Sequence, residues 1–108
     1  MPSSQVNYRP LGPSSRLTGQ SVTPFYLEDR KTRVSVARIG SQLFAFDDMC
    51  PHDGCQLSAG ILTGTTLMCP CDGSQFDITT GAVQRGPSTL ALPTYEAREQ
   101  DGEIAVRI

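Results

Sequence analysis

The residues of this chain that could do chemistry lie in two short segments. The first is Cys50-Pro51-His52-Asp53-Gly54-Cys55, and the second is Cys69-Pro70-Cys71-Asp72-Gly73-Ser74. All 4 cysteines and the 1 histidine of the chain lie in these segments. A disulfide scaffold spreads its cysteines along a chain that lacks a core, whereas a metal site gathers Cys and His into loops that the fold brings together. The pattern therefore indicates a metal site.

The second segment has an aspartate where a second histidine ligand would be expected. Sixteen residues, 53–68, separate His52 from Cys69. Taken alone, the donors Cys50, His52, Cys69 and Asp72 suit a single tetrahedral zinc or iron ion, of the kind found in structural zinc sites. Asp72 could equally be a solvated turn residue, because Asp-Gly favours turns. Both interpretations stay open at this point.

Alternation of apolar and polar residues predicts one hairpin before the two segments and another after them. The turns fall at Gly40-Ser41 and at Asp101-Gly102, the latter a strong hairpin signal. The predicted strands lie around residues 33–36, 43–46, 95–97 and 104–108. No window of eleven or more residues shows the apolar period of a helix. The chain is therefore predicted to be all-β, with short strands and many turns.

The length and the distribution of prolines predict one domain behind a short arm. A chain of 108 residues is long enough to bury a modest core. Residues 1–16 contain three prolines and four serines and show little hydrophobic periodicity. We therefore predict an extended, poorly ordered arm over residues 1–16 and a domain over residues 17–108.

The charge and hydropathy of the chain exclude several functions. Nine basic and eleven acidic residues give a net charge of −2, and no basic run could hold phosphates, so nucleic acid is not an expected partner. No stretch approaches a membrane span, and the first residues do not form a signal peptide. No pair of carboxylates and no nucleophile with a base suggests hydrolysis. We expect a soluble cytoplasmic protein, or a periplasmic one if a signal or anchor has been removed.

The two segments together resemble the ligand signature of Rieske iron-sulfur domains, which is C-x-H followed at a similar spacing by C-x-x-H. This sequence has C-P-H, sixteen residues and then C-P-C-D. The resemblance covers roughly residues 17–108 and implies an antiparallel β sandwich or barrel with a small cluster-binding subdomain of two loops, at about 50–60 and 69–76. Its further matches are Gly73, Ser74, Phe76, Asp77, the turn at Thr80-Gly81, and Gly86-Pro87 as the family's proline loop.

This resemblance implies a [2Fe-2S] cluster in which two cysteinates hold one iron and two imidazoles hold the other. Carried over by position, Cys50 and Cys69 would bind the inner iron and His52 the outer one. Asp72 stands in the place of the second imidazole. Replacing a neutral imidazole by a carboxylate makes the oxidised cluster an anion, so we expect a reduction potential lower by on the order of 100 mV and a simpler pH dependence.

One branch of the family, the Rieske proteins of cytochrome bc and b6f complexes, has two further cysteines at the positions of Cys55 and Cys71, where they form a disulfide between the loops. The same bond is implied here. In that branch a serine and a tyrosine donate hydrogen bonds to the cluster sulfurs. Ser74 matches the serine, but Phe76 has no hydroxyl group, which also favours a lower potential.

Three interpretations of Asp72 remain. In the first, it ligates iron in an electron carrier that has no turnover of its own, although it could be a subunit of an oxidoreductase system. In the second, the chain is an engineered or degenerate Rieske domain with a damaged or absent cluster, which acts as a binding or structural module. In the third, the site holds one metal ion, or a cluster recruits Cys55 or Cys71. The resemblance implies a reductase, an oxygenase or a cytochrome as redox partner.

Overall fold

Short antiparallel strands make up most of the computed structural model, which describes residues 8–17, 19, 21–52 and 54–108. Two single-turn 3-10 helices, at Ser14–Arg16 and Leu57–Ala59, interrupt them. The strands are β1 (Tyr8–Pro13), β2 (Val22–Leu27), β3 (Thr32–Ile39), β4 (Gln42–Asp47), β5 (Ile61–Thr63), β6 (Thr66–Met68), β7 (Gln75–Asp77), β8 (Val83–Arg85), β9 (Thr94–Gln100) and β10 (Glu103–Arg107). The predicted all-β class is confirmed.

The larger sheet has six strands in the order β1-β10-β9-β4-β3-β2 and contains both predicted hairpins. In the first hairpin Ile39 pairs with Gln42 around the turn, and in the second Gln100 pairs with Glu103. The two hairpins join where β4 pairs with β9. This sheet forms the base on which the two Cys-containing loops are mounted, since the chain leaves it after β4 and returns to it at β9.

The prediction of a poorly ordered arm over residues 1–16 was wrong for residues 8–16. Strand β1 pairs antiparallel with β10 at the edge of the larger sheet. The Tyr8 hydroxyl donates a hydrogen bond to Glu96 (2.9 Å), and the Arg98 guanidinium lies 4.0 Å from the centre of the Tyr8 ring. Prolines suggested an arm, but an edge strand tolerates proline because one side of it needs no donor. Residues 1–7 lie outside the described residues.

The smaller sheet has four strands in the order β5-β6-β7-β8 and lies between the two hairpins in the chain. The β5–β6 hairpin is formed by the apolar segment that links the two Cys-containing loops, and β6 then pairs with β7 so that Leu67 faces Phe76. The predicted small subdomain is present. Among the described residues, no helix is long and apolar enough to cross a bilayer.

Two clusters of buried side chains form the core. One is formed by side chains of strands β2, β3, β4 and β10 in the larger sheet. It consists of Phe25, Leu27, Val34, Val36, Ala45, Ile104 and Val106. The other lies under the smaller sheet and consists of Ala37, Phe46, Cys50, Leu57, Leu67, Cys69, Phe76, Ile78 and Leu92. Two cysteines therefore belong to the core. The burial that stabilises the subdomain is the same burial that removes these sulfur atoms from water.

Gly81 in the subdomain should be highly sensitive to substitution. Its φ is +85°, and a Cβ there would lie 2.1 Å from the Leu92 carbonyl oxygen. We expect Gly81→Ala to lower the free energy of unfolding by about 3 kcal/mol or more, because backbone strain adds to a backbone clash. Denaturant unfolding measures the loss. Gly40→Ala is the matched control: its φ is +63° with open space around it, so about 1–2 kcal/mol is expected. Equal losses in the two variants would contradict the prediction.

Candidate metal centre

Loop 1 (residues 50–55) is closed by two backbone hydrogen bonds. The Cys50 amide donates to the Cys55 carbonyl (2.8 Å), and the Gly54 amide donates to the Cys50 carbonyl (2.8 Å). Gly54 has a φ of +78°, a conformation in which a side chain is strained. The closure places Cys50 at the buried base of the loop and His52 near its tip, where the side chain is 45% exposed.

Loop 2 (residues 69–74) closes by the same two hydrogen bonds at the equivalent positions. The Cys69 amide donates to the Ser74 carbonyl (2.7 Å), and the Gly73 amide donates to the Cys69 carbonyl (3.1 Å). Gly73 has a φ of +80°. Both loops thus read C-P-x-x-G-x, and the shared glycine at the fifth position lets each chain turn back on its cysteine. This correspondence could have been read from the sequence, but it was not used there.

The two loops bring the four proposed ligands together. The sulfur atoms of Cys50 and Cys69 and a carboxylate oxygen of Asp72 all lie within 4.8 Å of one another. His52 is not in that group of three, but its Nδ1 lies 2.6 Å from Oδ2 of Asp72. The cysteines are 2% and 1% exposed, whereas His52 and Asp72 lie at the surface side. The site therefore has sulfur donors inside and nitrogen and oxygen donors outside.

The two oxygens of Asp72 have different partners. Oδ1 accepts a hydrogen bond from the Ser74 amide (2.9 Å), which is the turn contact that an Asp-Gly pair favours. Oδ2 faces His52. The Ser74 amide is the main cause that lowers the pKa of Asp72, and His52 lowers it further although partial burial opposes both. Asp72 therefore makes the turn contact with one oxygen and presents the other oxygen to His52.

The buried cysteines suit a cationic centre. Burial raises the pKa of Cys69 to about 11, because a thiolate is poorly solvated inside the core. The thiolate is the form that binds metal, so a bound cation must supply the compensating charge. Two sulfurs in the core, with an imidazole and a carboxylate at the rim, form a donor set that fits an iron-sulfur cluster in which one of the usual imidazoles is replaced by oxygen.

Cys55 and Cys71 form the disulfide that the family resemblance implied, with their Cα atoms 6.4 Å apart. The bond joins the sixth residue of loop 1 to the third residue of loop 2. It therefore cross-links the loops beside the four proposed ligands. With both sulfurs in this bond, the structure does not favour the alternative in which Cys55 or Cys71 is recruited as a cluster ligand.

The proline loop lies against loop 2. Gly86 and Pro87 are joined by a cis peptide bond, and the amide of the next residue, Ser88, donates a hydrogen bond to Ser74 Oγ (2.9 Å). Ser74 is fully buried, and so is Phe76, which packs in the core of the subdomain. Ser74 therefore joins loop 2 to the proline loop, and its hydrogen bond to a cluster sulfur remains a prediction.

The sequence analysis missed Asp48. The aspartates at positions 47, 48 and 53 carry no motif and would ordinarily be solvated loop charges, yet Asp48 is only 1% exposed and accepts a hydrogen bond from the Ser35 hydroxyl (2.8 Å). Asp47 is half-buried and accepts a hydrogen bond from the Tyr95 hydroxyl (2.6 Å). Asp53 lies outside the described residues. Asp48 could not be found from local sequence, because its partners are ten or more residues away.

Comparisons with known proteins agree with this geometry. Residues 7–96 match the family model of the Rieske [2Fe-2S] domain. The anthranilate 1,2-dioxygenase ferredoxin subunit of Burkholderia cepacia is 32% identical over 89% of this chain and 79% of its own length. Among solved structures, the Sphingomonas yanoikuyae B1 ferredoxin superposes with a TM-score of 0.86 at 26% identity, covering 94% of this chain and 99% of that one. A further match, with a TM-score of 0.83 at 26% identity over 95% and 94% of the two chains, is a structure described as a complex of reduced oxygenase and oxidized ferredoxin in carbazole 1,9a-dioxygenase.

Removing the disulfide should destabilise the fold. The bond closes a loop with a sequence separation of 16, so the double variant Cys55→Ser, Cys71→Ser is expected to lose about 3 kcal/mol of unfolding free energy through the larger entropy of its unfolded chain. Denaturant unfolding at equal metal content measures this. The parent protein treated with a disulfide reductant is the control and should lose a similar amount. A parent that is indifferent to the reductant would contradict the prediction.

Proposed function

This chain belongs to the Rieske [2Fe-2S] domain family, and we propose that Cys50, His52, Cys69 and Asp72 bind the cluster of a one-electron carrier. A bound [2Fe-2S] cluster supplies the redox chemistry by accepting and releasing one electron. The observation that carries the proposal is the meeting of two buried sulfurs with the His52–Asp72 pair. In this proposal, Asp72 is the ligand that replaces the second imidazole of the family.

We assign the four proposed ligands to the two irons by their burial. Cys50 and Cys69 are core residues, so they are assigned to the inner iron. His52 and Asp72 lie at the rim and are assigned to the outer iron. The half-exposed imidazole of His52 is then the edge of the site through which a partner protein can be reached. Electron transfer needs this edge near the surface, while the sulfur ligands stay dry.

We assign Asp72 a monodentate role through Oδ2. Its Oδ1 is already engaged by the Ser74 amide, which fixes the direction of the carboxylate. Although Asp is shorter than His, one of its oxygens lies within 4.8 Å of the sulfurs of Cys50 and Cys69. The present contact between His52 Nδ1 and Asp72 Oδ2 is a hydrogen bond, and two atoms that both bind iron cannot share a proton. With a cluster bound, His52 and Asp72 would each bind the metal in place of this hydrogen bond.

The expected redox partners are a reductase and an oxygenase. This part of the proposal is supported by relatives described as ferredoxin components of dioxygenase systems and by a related ferredoxin in complex with its oxygenase. The chain would carry electrons without turnover of its own and would act in the cytoplasm. A cytochrome partner, which the additional disulfide suggested, has weaker support: a cytochrome b6-f complex iron-sulfur subunit is 31% identical over 95% of this chain, but the chain spans only 55% of that protein.

Metal analysis tests the function directly. The purified protein should contain about two irons and two acid-labile sulfides per chain and should show a visible absorption spectrum that changes on one-electron reduction. A colourless protein, or one with a single zinc or iron, would end the electron-carrier proposal. It would leave the mononuclear or metal-free module as the function.

Variants of Asp72 test the ligand assignment. Asp72→His should raise the reduction potential by on the order of 100 mV, because a neutral ligand replaces an anionic one. Asp72→Asn is the matched variant: its side-chain oxygen can still accept the Ser74 hydrogen bond, but an amide is a poor iron ligand, so cluster content should fall. Voltammetry and iron analysis are the measurements. Parent-like potential and iron content in both variants would show that Asp72 is only a turn residue.

A further inference from the structure

Asp48 is a buried carboxylate that the proposed electron transfer does not use. It lies two residues before Cys50, at the end of β4, and is 1% exposed. Buried carboxylates are rare in proteins unless they are paired or fully hydrogen-bonded, because an ionised group loses its hydration. Its position beside a proposed cluster ligand raises the question of what this charge does.

Each oxygen of Asp48 has two polar partners. Oδ1 accepts hydrogen bonds from the Ser58 amide (2.7 Å) and the Ser35 hydroxyl (2.8 Å). Oδ2 accepts from the Ser58 hydroxyl (3.1 Å) and faces the Arg33 guanidinium (3.5 Å). The Ser58 amide and Arg33 can only donate, and each faces a different oxygen, so each oxygen of Asp48 has at least one partner that can only donate.

Asp48 also connects two parts of the structure to loop 1. Its side chain bonds Ser35 on β3 and Ser58 in the 3-10 helix that follows the loop. Its backbone carbonyl accepts from the Leu57 amide (2.6 Å), and its own amide donates to the Arg33 carbonyl (3.0 Å). Both ends of loop 1 are thereby attached to the larger sheet. Cys50 is the second residue beyond this attachment.

We propose that Asp48 is a positioning residue that fixes loop 1 on β3 and lowers the reduction potential of the cluster bound through Cys50. Asp48 and Cys50 are two residues apart and both are buried, so little water can screen the carboxylate from a cluster bound through Cys50. A buried anion opposes the addition of an electron nearby. Arg33, which is partly exposed, offsets part of this charge. The inference rests on the proposed binding of a redox-active cluster by Cys50.

Two substitutions of opposite charge effect test the inference in the cluster-loaded protein. Asp48→Asn removes the buried anion and should shift the midpoint potential upward. Arg33→Gln leaves the anion less compensated and should shift it downward. A purely structural role of the contact predicts no such reversal of sign. The Asp48→Asn shift should persist in high salt, because screening by ions acts on exposed charges far more than on buried ones.

Matched controls separate local from overall charge. Asp47→Asn is the control for Asp48→Asn, because it removes one negative charge at the preceding residue, which is bonded to Tyr95. Arg38→Gln is the control for Arg33→Gln, because it removes one positive charge from a residue that pairs with Glu99. Both controls should stay closer to the parent potential than the test variants do. Iron and sulfide analysis accompanies each measurement, and thermal unfolding shows whether Asp48→Asn weakens the attachment of loop 1.

The outcomes distinguish this inference from the proposed function. A loaded parent whose potential is unmoved by Asp48→Asn and Arg33→Gln, or is moved equally by the controls, overturns the role of Asp48 alone. A parent without iron and sulfide overturns both. If Asp48→Asn fails to load, Arg33→Gln still decides: a lower potential supports the inference, and an unchanged or higher one overturns it.

Discussion

The site depends on the closure of two six-residue loops by one repeated backbone pattern. In each loop a glycine at the fifth position adopts a positive φ and returns its amide to the carbonyl of the leading cysteine. This closure turns Cys50 and Cys69 inward, to join the core of the small subdomain. The site is therefore not added to a finished fold. Two of its proposed donors, Cys50 and Cys69, are part of the hydrophobic interior. Folding of the subdomain core therefore also places their sulfur atoms.

The equivalence of the loops also explains how they differ in chemistry. The proposed rim ligand is the third residue of loop 1 but the fourth residue of loop 2, and the disulfide joins the sixth residue of loop 1 to the third of loop 2. In loop 2 the third position is thus occupied by the cross-link. The proposed ligand is therefore Asp72, the next residue, where the turn contact with Ser74 already fixes one oxygen. A short side chain can serve there because the turn directs it.

Much of this structure could be predicted from the sequence, and the failures have physical reasons. The hairpin turns at Gly40-Ser41 and Asp101-Gly102 are local signals, and local signals survive in the fold. The spacing of Cys and His indicated a shared site because metal ligands must converge. By contrast, Pro10 and Pro13 suggested an arm although they lie in an edge strand, where the missing donors cost little. Asp48 escaped notice because its burial is created by Ser35 and Ser58, which only the tertiary fold brings near.

The burial of Cys50 and Cys69 constrains how the holoprotein can mature. Side chains that are 1–2% exposed cannot receive iron from a donor protein while both loops are closed over them. With the proposed ligands, the cofactor would therefore have to enter while the loops are still apart. The covalent bond between Cys55 and Cys71 holds them together, so it should be the last step of assembly, and premature oxidation would trap an empty protein.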